Sequence, residues 1–299
     1  MATTATDLLP TPSVTPPLQA EAQMLPAQIN TATRKQHTEL NRLIIERLPL
    51  ALPPRATNPK AYALGIAAFA QIFLAFEQAF DDLQHESHEA LTPDEPHQRE
   101  LRAWISDLRP AGLKRSPRLK RDLQYLPELD RANFSQFDDE TQERIRSLAA
   151  AKPHTLVAYT WVMYMAIFSG GRWIREQLAS AKPEFWTAHT NAGPAMAEKT
   201  PLGMPGFSFL SFDGEEDGED LKTEYKRRLA EGEDLLNVQE RQDIVEASQE
   251  LFEICISIVK KLDLEIRRQE IASRLMSAGS VVFVVICAWV WYRLRGWAS

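Results

Sequence analysis

The sequence has few cysteines and no excess of positive charge. Its 299 residues include 2 cysteines, Cys255 and Cys287, which are too few for a disulfide framework or a cysteine metal site and fit a reducing compartment. Its 34 basic residues are outnumbered by 41 acidic ones, which gives a net charge of -7. This balance argues against nucleic acid as the main partner.

The sequence also lacks runs in which apolar and β-branched residues alternate, so no sheet is predicted. Apolar residues instead recur at helical spacing. They make up 44% of the chain, which is enough for a proper core. The expected fold class is therefore all-α.

Proline and apolar content divide the chain into three expected parts. Residues 1–26 contain several prolines among Thr, Ala and Ser, without a basic head or a continuous apolar stretch. This composition predicts a disordered tail and not a signal peptide. Residues 27–274 are expected to form one helical domain, and residues 275–292 a separate apolar helix.

The first predicted helix runs from Gln28 to Leu48 and stops before Pro49. His37 shares its helical face with Leu40 and Ile44, so its imidazole is able to face the interior as a ligand. A core histidine without a ligand role is the alternative.

A second core helix is predicted from Pro59 to Gln84. Its polar end carries Glu77, Asp81, His85 and His88 at spacings of one helical turn, which would suit a metal site in a helical bundle. A solvated helix end is the interpretation that we favour for them. The basic residues farther along, Arg115 among them, are predicted to be solvated surface.

The stretch from His154 to Ser180 is mostly apolar and helical in pattern, but it carries Gly170 and Gly171 in its middle. Two glycines inside a helix cost roughly 2 kcal/mol relative to alanine. Such a pair indicates either a helix crossing with small residues at the contact or a bent backbone that a flat, bulky ligand approaches closely.

The segment from Leu275 to Tyr292 has no charged residue, and its length is just within the range that crosses a bilayer. Arginines flank it on both sides, and Trp289, Trp291 and Tyr292 gather at one end as an interfacial aromatic belt would. We predict a tail anchor with the domain on the cytosolic face of the endoplasmic reticulum membrane. The mitochondrial outer membrane and a buried core helix are the alternatives.

Three motifs in order resemble those of the heme oxygenase family. They are Ala32-Thr-Arg-Lys-Gln-His37-Thr38, Tyr164-Met-Ala-Ile-Phe-Ser-Gly-Gly-Arg-Trp-Ile174, and Gly206-Phe-Ser-Phe-Leu-Ser-Phe212 followed by Leu221-Lys-Thr-Glu-Tyr-Lys-Arg-Arg-Leu229. The resemblance covers about residues 28–265 and implies a single all-α domain that holds heme between a proximal first helix and a distal, glycine-kinked helix.

The resemblance also implies roles for individual residues. His37 matches the axial ligand of the heme iron, and Gly170 and Gly171 match the distal glycines that let the backbone lie against the porphyrin. Lys222 and Lys226 match basic positions that pair with heme propionates, and their spacing puts them on one helix face.

Two departures from the family's pattern bear on its reaction. Ala166 and Ile167 stand where the family has a glycine and an aspartate, and the aspartate holds the water that directs a proton to bound oxygen. Isoleucine has no donor or acceptor for such a water. Asn41 stands where the family has a carboxylate behind the iron ligand, and it is uncharged.

Three functions remain in competition at this point. The first is a membrane-anchored heme oxygenase that, with O2 and electrons from a membrane-bound reductase, converts heme to biliverdin, iron and carbon monoxide. The second is a heme-binding sensor, carrier or reservoir that does not open the ring. The third is a relative with the same fold that binds a non-heme metal pair or nothing, using residues such as Asp81 and His85.

Overall fold

The computed structural model describes residues 24–89, 96–126, 135–187 and 208–295. The elements described there are helical, as the sequence predicts. The helices are α1 (Leu25–Ala32), α2 (Arg34–Arg47), α3 (Lys60–Glu89), α4 (Pro96–Asp107), α5 (Ser116–Tyr125), α6 (Ser135–Ala151), α7 (Leu156–Ala166), α8 (Arg172–Ala179), α9 (Pro183–Thr187), α10 (Glu219–Gly232) and α11 (Val238–Arg295). A π-helical turn, Ile167–Gly171, joins α7 to α8, and 3-10 turns lie at Leu48–Ala51, Pro153–Thr155, Ser208–Leu210 and Glu233–Leu235.

Helix α3 is the central helix of the core. Its aromatic side chains Phe73, Phe76 and Phe80 are buried, and α4, α5, α6, α7 and α11 pack around it. Among the described residues, its stretch Lys60–His85 is long and apolar enough to cross a membrane, but 61% of its apolar window is buried inside the domain. That burial is typical of the core helix of a globular domain.

Helix α11 carries α1, α2 and α7 on its surface. Helix α2 runs parallel to it, because the Gln249 side chain donates to the carbonyl of Ala32 at 3.1 Å and Arg47 pairs with Asp263 farther along at 2.7 Å. The apolar residue Leu43 is buried between these two contacts.

Helix α7 runs along α11 in the same direction. Just before α7 begins, His154 contacts the carboxylate of Asp243 at 3.0 Å. Farther along α7, the indole N–H of Trp161 donates to the side-chain oxygen of Asn30 in α1 at 3.3 Å. The end of α1 contacts Gln249, which follows Asp243 along α11. Helices α2 and α7 therefore advance together along α11, one toward His37 and the other toward the glycine turn.

The helix boundaries differ from the sequence prediction in several places. The helix predicted from Gln28 to Leu48 is two helices, α1 and α2, on either side of Thr33. Leu25 and Pro26, which we assigned to the tail, belong to α1, and Leu25 is fully buried with its N–H donating to Glu233. The rest of that predicted tail lies outside the described residues. The long C-terminal helix also has no boundary near Arg274, because α11 continues to Arg295 as one helix of 58 residues.

Candidate functional site

His37 lies on α2 and is exposed, whereas the sequence suggested that it could be buried. Its imidazole makes an edge contact with the buried ring of Phe252 in α11, with 5.9 Å between the ring centroids. Neither Asn41 nor any other described residue forms a hydrogen bond with this imidazole, so its nitrogens are available to a ligand. The aromatic contact is what orients the ring.

The consecutive glycines lie in the π-helical turn between α7 and α8. The helix is interrupted there as predicted, but by a widened turn with right-handed backbone on both sides and not by an end. A Cβ added at Gly170 would meet nothing within 4 Å, whereas one added at Gly171 would lie 3.5 Å from Ile167 and 3.6 Å from Leu210. Gly170 therefore faces open space, and Gly171 faces the packed interior.

Ile167, which the resemblance places at the position of the family's aspartate, is buried with 7% of its surface exposed. The next side chain, Phe168, stacks on Phe212 with 4.9 Å between the ring centroids. Ser169 and Gly170 are the exposed residues of this turn, and Ala166, the last residue of α7, is exposed as well. The side chain at position 167 thus points into the core and not toward the open side of the turn.

Helix α10 carries the two predicted propionate ligands. It is fixed to α7 by Tyr225, which is fully buried and donates its hydroxyl to Thr160 at 3.0 Å. Lys222 is half-buried and pairs with Glu219 at 3.2 Å. Lys226 is exposed, and no ion pair is recorded for it with the described residues.

A cluster of charges that the sequence did not predict surrounds Lys222. Arg172, the first residue of α8, reaches Glu219 at 2.7 Å, so the carboxylate of Glu219 accepts from both cations. The hydrogen bonds from Lys222 and Arg172 lower the pKa of Glu219. The neighbouring Arg175 binds Asp217. Only the folded chain brings α8 beside the start of α10, so no local motif could have predicted this cluster.

The acidic residues at the polar end of α3 have structural partners. Glu77 is buried and accepts hydrogen bonds from the N–H groups of Arg115 at 2.8 Å and Ser116 at 2.7 Å, and from the hydroxyl of Tyr164 at 2.9 Å. Burial, followed by the charge of Glu77, raises the pKa of Tyr164 well above its usual range. Glu77 thereby connects α3, α5 and α7.

Asp81, one turn later, pairs with Arg109 at 2.6 Å and with Lys114. The side chain of His88 lies outside the described residues, and no group of three or more metal-ligating side chains occurs in the part that is described. The favoured interpretation of this helix end as solvated is wrong for Glu77, which is 1% exposed.

Arg115 is also placed differently from the prediction. It is 1% exposed and not part of a solvated surface, and its guanidinium donates to the carbonyls of Leu113 at 2.9 Å and Ser211 at 2.8 Å. Burial lowers the pKa of Arg115 to about 10. Carbonyl acceptors from the preceding turn and from the distant segment at Ser211 make this burial possible.

Sequence comparison matches the chain to a protein family and to a curated relative. The family model described as heme oxygenase matches residues 23–261. A curated relative, the heme-binding protein HMX1 of Saccharomyces cerevisiae, is 25% identical over 280 residues, which cover 86% of this chain and 81% of the relative.

Solved structures match the fold. Heme oxygenase 2 of Chlamydomonas reinhardtii, solved without heme, has a TM-score of 0.58 and 19% identity, and the match covers 80% of this chain and 97% of that one. Heme oxygenase-1 of the cyanobacterium Synechocystis, solved with heme, has a TM-score of 0.53 and 17% identity over 86% of this chain and 99% of that one. Because the family model spans most of the sequence, the chain belongs to the heme oxygenase family.

Proposed function

We propose that this protein binds heme in a cleft between α2 and the glycine turn, with α11 as the back wall. The observation that carries the proposal is the pairing of an exposed imidazole without a hydrogen bond, at His37, with open space beside the backbone at Gly170. Both belong to helices that advance in the same direction along α11. An imidazole on one side and bare backbone on the other suit a flat, iron-containing ring.

The residues of this chain would divide the binding as follows. The imidazole of His37 would bind the heme iron, and its edge contact with Phe252 holds the imidazole in place. The backbone at Gly170 would let the porphyrin approach closely because no side chain intervenes, and Gly171 keeps the turn packed on the core. Lys222 and Lys226 offer charge to the propionates.

The reaction that we propose is the one typical of the family, in which heme is both ligand and substrate. With O2 and electrons from a membrane-bound reductase, heme is opened to biliverdin, iron and carbon monoxide. The iron of the bound heme supplies the site for oxygen and electrons. This chain's part is to hold the ring through His37 and to leave room for it beside Gly170.

A second function is favoured by one specific observation. Ile167 is buried and apolar where the family has an aspartate, so this position holds no water for proton delivery. A heme-binding sensor, carrier or reservoir needs no such water. The related yeast protein is itself described as heme-binding.

Hemin titration of the full-length chain, followed by reaction, separates these functions. We expect a Soret band of a histidine-ligated heme that His37→Ala abolishes and that His85→Ala, a change in the unrelated helix α3, leaves intact. Reductant and oxygen should then give biliverdin absorbance with release of iron. Stable or bleached heme without bilin would support binding alone, and an unchanged Soret band in His37→Ala would refute the site.

We also propose that the end of α11 anchors the domain to a membrane, with the endoplasmic reticulum preferred to the mitochondrial outer membrane. Residues 275–292 carry no charge, and helix continues through them to Arg295. A protein anchored in this way stays in the membrane pellet after carbonate extraction, whereas a variant that ends at Arg274 moves to the supernatant. Release of the full-length chain by carbonate would refute the anchor.

A further inference from the structure

Two cations of different helices share one carboxylate beside the glycine turn. The guanidinium of Arg172 lies 2.7 Å from Glu219, and the ammonium of Lys222 lies 3.2 Å from the other oxygen of the same carboxylate. Arg172 directly follows Gly171, so the cluster adjoins the distal side of the cleft. The three side chains are 35%, 27% and 44% exposed, so solvent reaches each of them.

We propose that Arg172 and Lys222 form one carboxylate-binding site, that Glu219 occupies it in the heme-free protein, and that a propionate of an incoming porphyrin displaces Glu219. This inference rests on the proposed function. The ligand class follows from the occupant, because a site that already holds a carboxylate between an arginine and a lysine has the geometry and charge for another.

Both cations are held in position without Glu219. Arg172 also donates to the carbonyl of Asp217 at 3.0 Å, and Lys222 lies on a helix that Tyr225 fastens to α7. Glu219 itself is the most exposed of the three, so water can solvate it after displacement. The site would therefore keep its shape when the occupant is exchanged.

Displacement of Glu219 should lower the measured affinity for the porphyrin. Exposed ion pairs contribute little to stability, so competition from Glu219 should weaken porphyrin binding by a factor of about two to five. Glu219→Gln keeps the shape of the side chain but removes its charge. It should therefore bind hemin about two to five times more tightly than the original chain.

The test titrates the full-length chain, in a mild detergent, with hemin and with hemin dimethyl ester. The same titration of His37→Ala measures the heme that partitions into micelles. The ester has the same ring and iron but no propionate charge. Glu219→Gln should bind hemin more tightly and the ester with unchanged affinity. Arg172→Gln should weaken the binding of hemin and not of the ester, and should cancel the gain when it is combined with Glu219→Gln.

Glu224→Gln is the matched control. It removes the same charge from the same helix, but Glu224 pairs with Arg227 and Arg228, so hemin affinity should stay unchanged. Equal gains from the two glutamate variants, or a gain of Glu219→Gln for the ester as well, would overturn the proposal. So would unchanged or weaker hemin binding by a folded Glu219→Gln.

The Arg172→Gln variant decides the same question if Glu219→Gln does not fold, since equal losses for hemin and ester would also overturn the proposal. Failure of the proposed function has a different signature. In that case the original chain itself would bind hemin no better than His37→Ala does.

Discussion

Restoring the family's aspartate at position 167 should destabilise the protein. Ile167 is 7% exposed, and its Cγ2 lies 3.5 Å from where a Cβ on Gly171 would stand. Ile167→Asp removes a buried isoleucine side chain, which costs about 2 kcal/mol of burial. It also leaves a carboxyl group without a polar partner among these apolar neighbours, which costs about 1 to 3 kcal/mol more.

The free energy of unfolding should therefore fall by about 3 to 5 kcal/mol. Urea unfolding of the full-length variant, followed by circular dichroism, measures this loss. The matched control is Ala166→Asp, which places the same group on the exposed neighbour and should cost no more than about 1 kcal/mol.

The functional readout of Ile167→Asp is the yield of biliverdin from the hemin-loaded protein with reductant and oxygen. We expect no increase, because a side chain that points into the core holds no water on the open side of the turn. Equal stability of the two variants, or a higher bilin yield from Ile167→Asp, would refute the burial argument.

Two further predictions concern Phe252, on the back wall of the proposed cleft, and Asp122, a buried residue of α5. Phe252→Leu should weaken hemin binding, measured by Soret titration, by a factor of about two to ten, because the aromatic edge contact that orients His37 is lost. Asp122→Asn should remove part of the pH dependence of unfolding, measured in urea at several pH values. Burial raises the pKa of Asp122 above 3.8. Its contribution to stability is therefore full below pH 3.8 and is lost as pH rises through the raised value.

Each of these predictions has a control. Phe185→Leu removes another buried aromatic ring, one that contacts Trp186 and not His37, and should leave hemin affinity unchanged. Equal losses in the two phenylalanine variants would contradict a positioning role for Phe252. Identical pH profiles of Asp122→Asn and the original chain would contradict the shifted pKa of Asp122.

Local pattern in the sequence was enough to predict the helices and the interruption at the glycines. Apolar spacing fixes which face of a helix is buried, and two consecutive glycines weaken a helix wherever they occur. The three motifs in their order along the chain likewise predicted the family correctly. These features depend on residues that are close together in the chain.

The details that were wrong or unforeseen depend on distant residues. Arg115 looked like a surface charge because nothing near it in sequence indicates the carbonyl of Ser211, which accepts from its guanidinium. The sequence likewise gave no sign that Glu77 would bind the backbone of Ser116, or that Arg172 would share Glu219 with Lys222. Burial of a charge is decided by partners that only folding brings together.

The unbroken helix α11 has a mechanical consequence. It has 58 residues, so it is about 87 Å long. Phe252 and the start of the proposed anchor at Leu275 lie about 35 Å apart on this one helix. With no hinge between them, a tilt or rotation of the anchor in the bilayer would turn the back wall of the cleft with it. The orientation of the proposed cleft relative to the membrane surface would then be set by how the proposed anchor lies in the lipid.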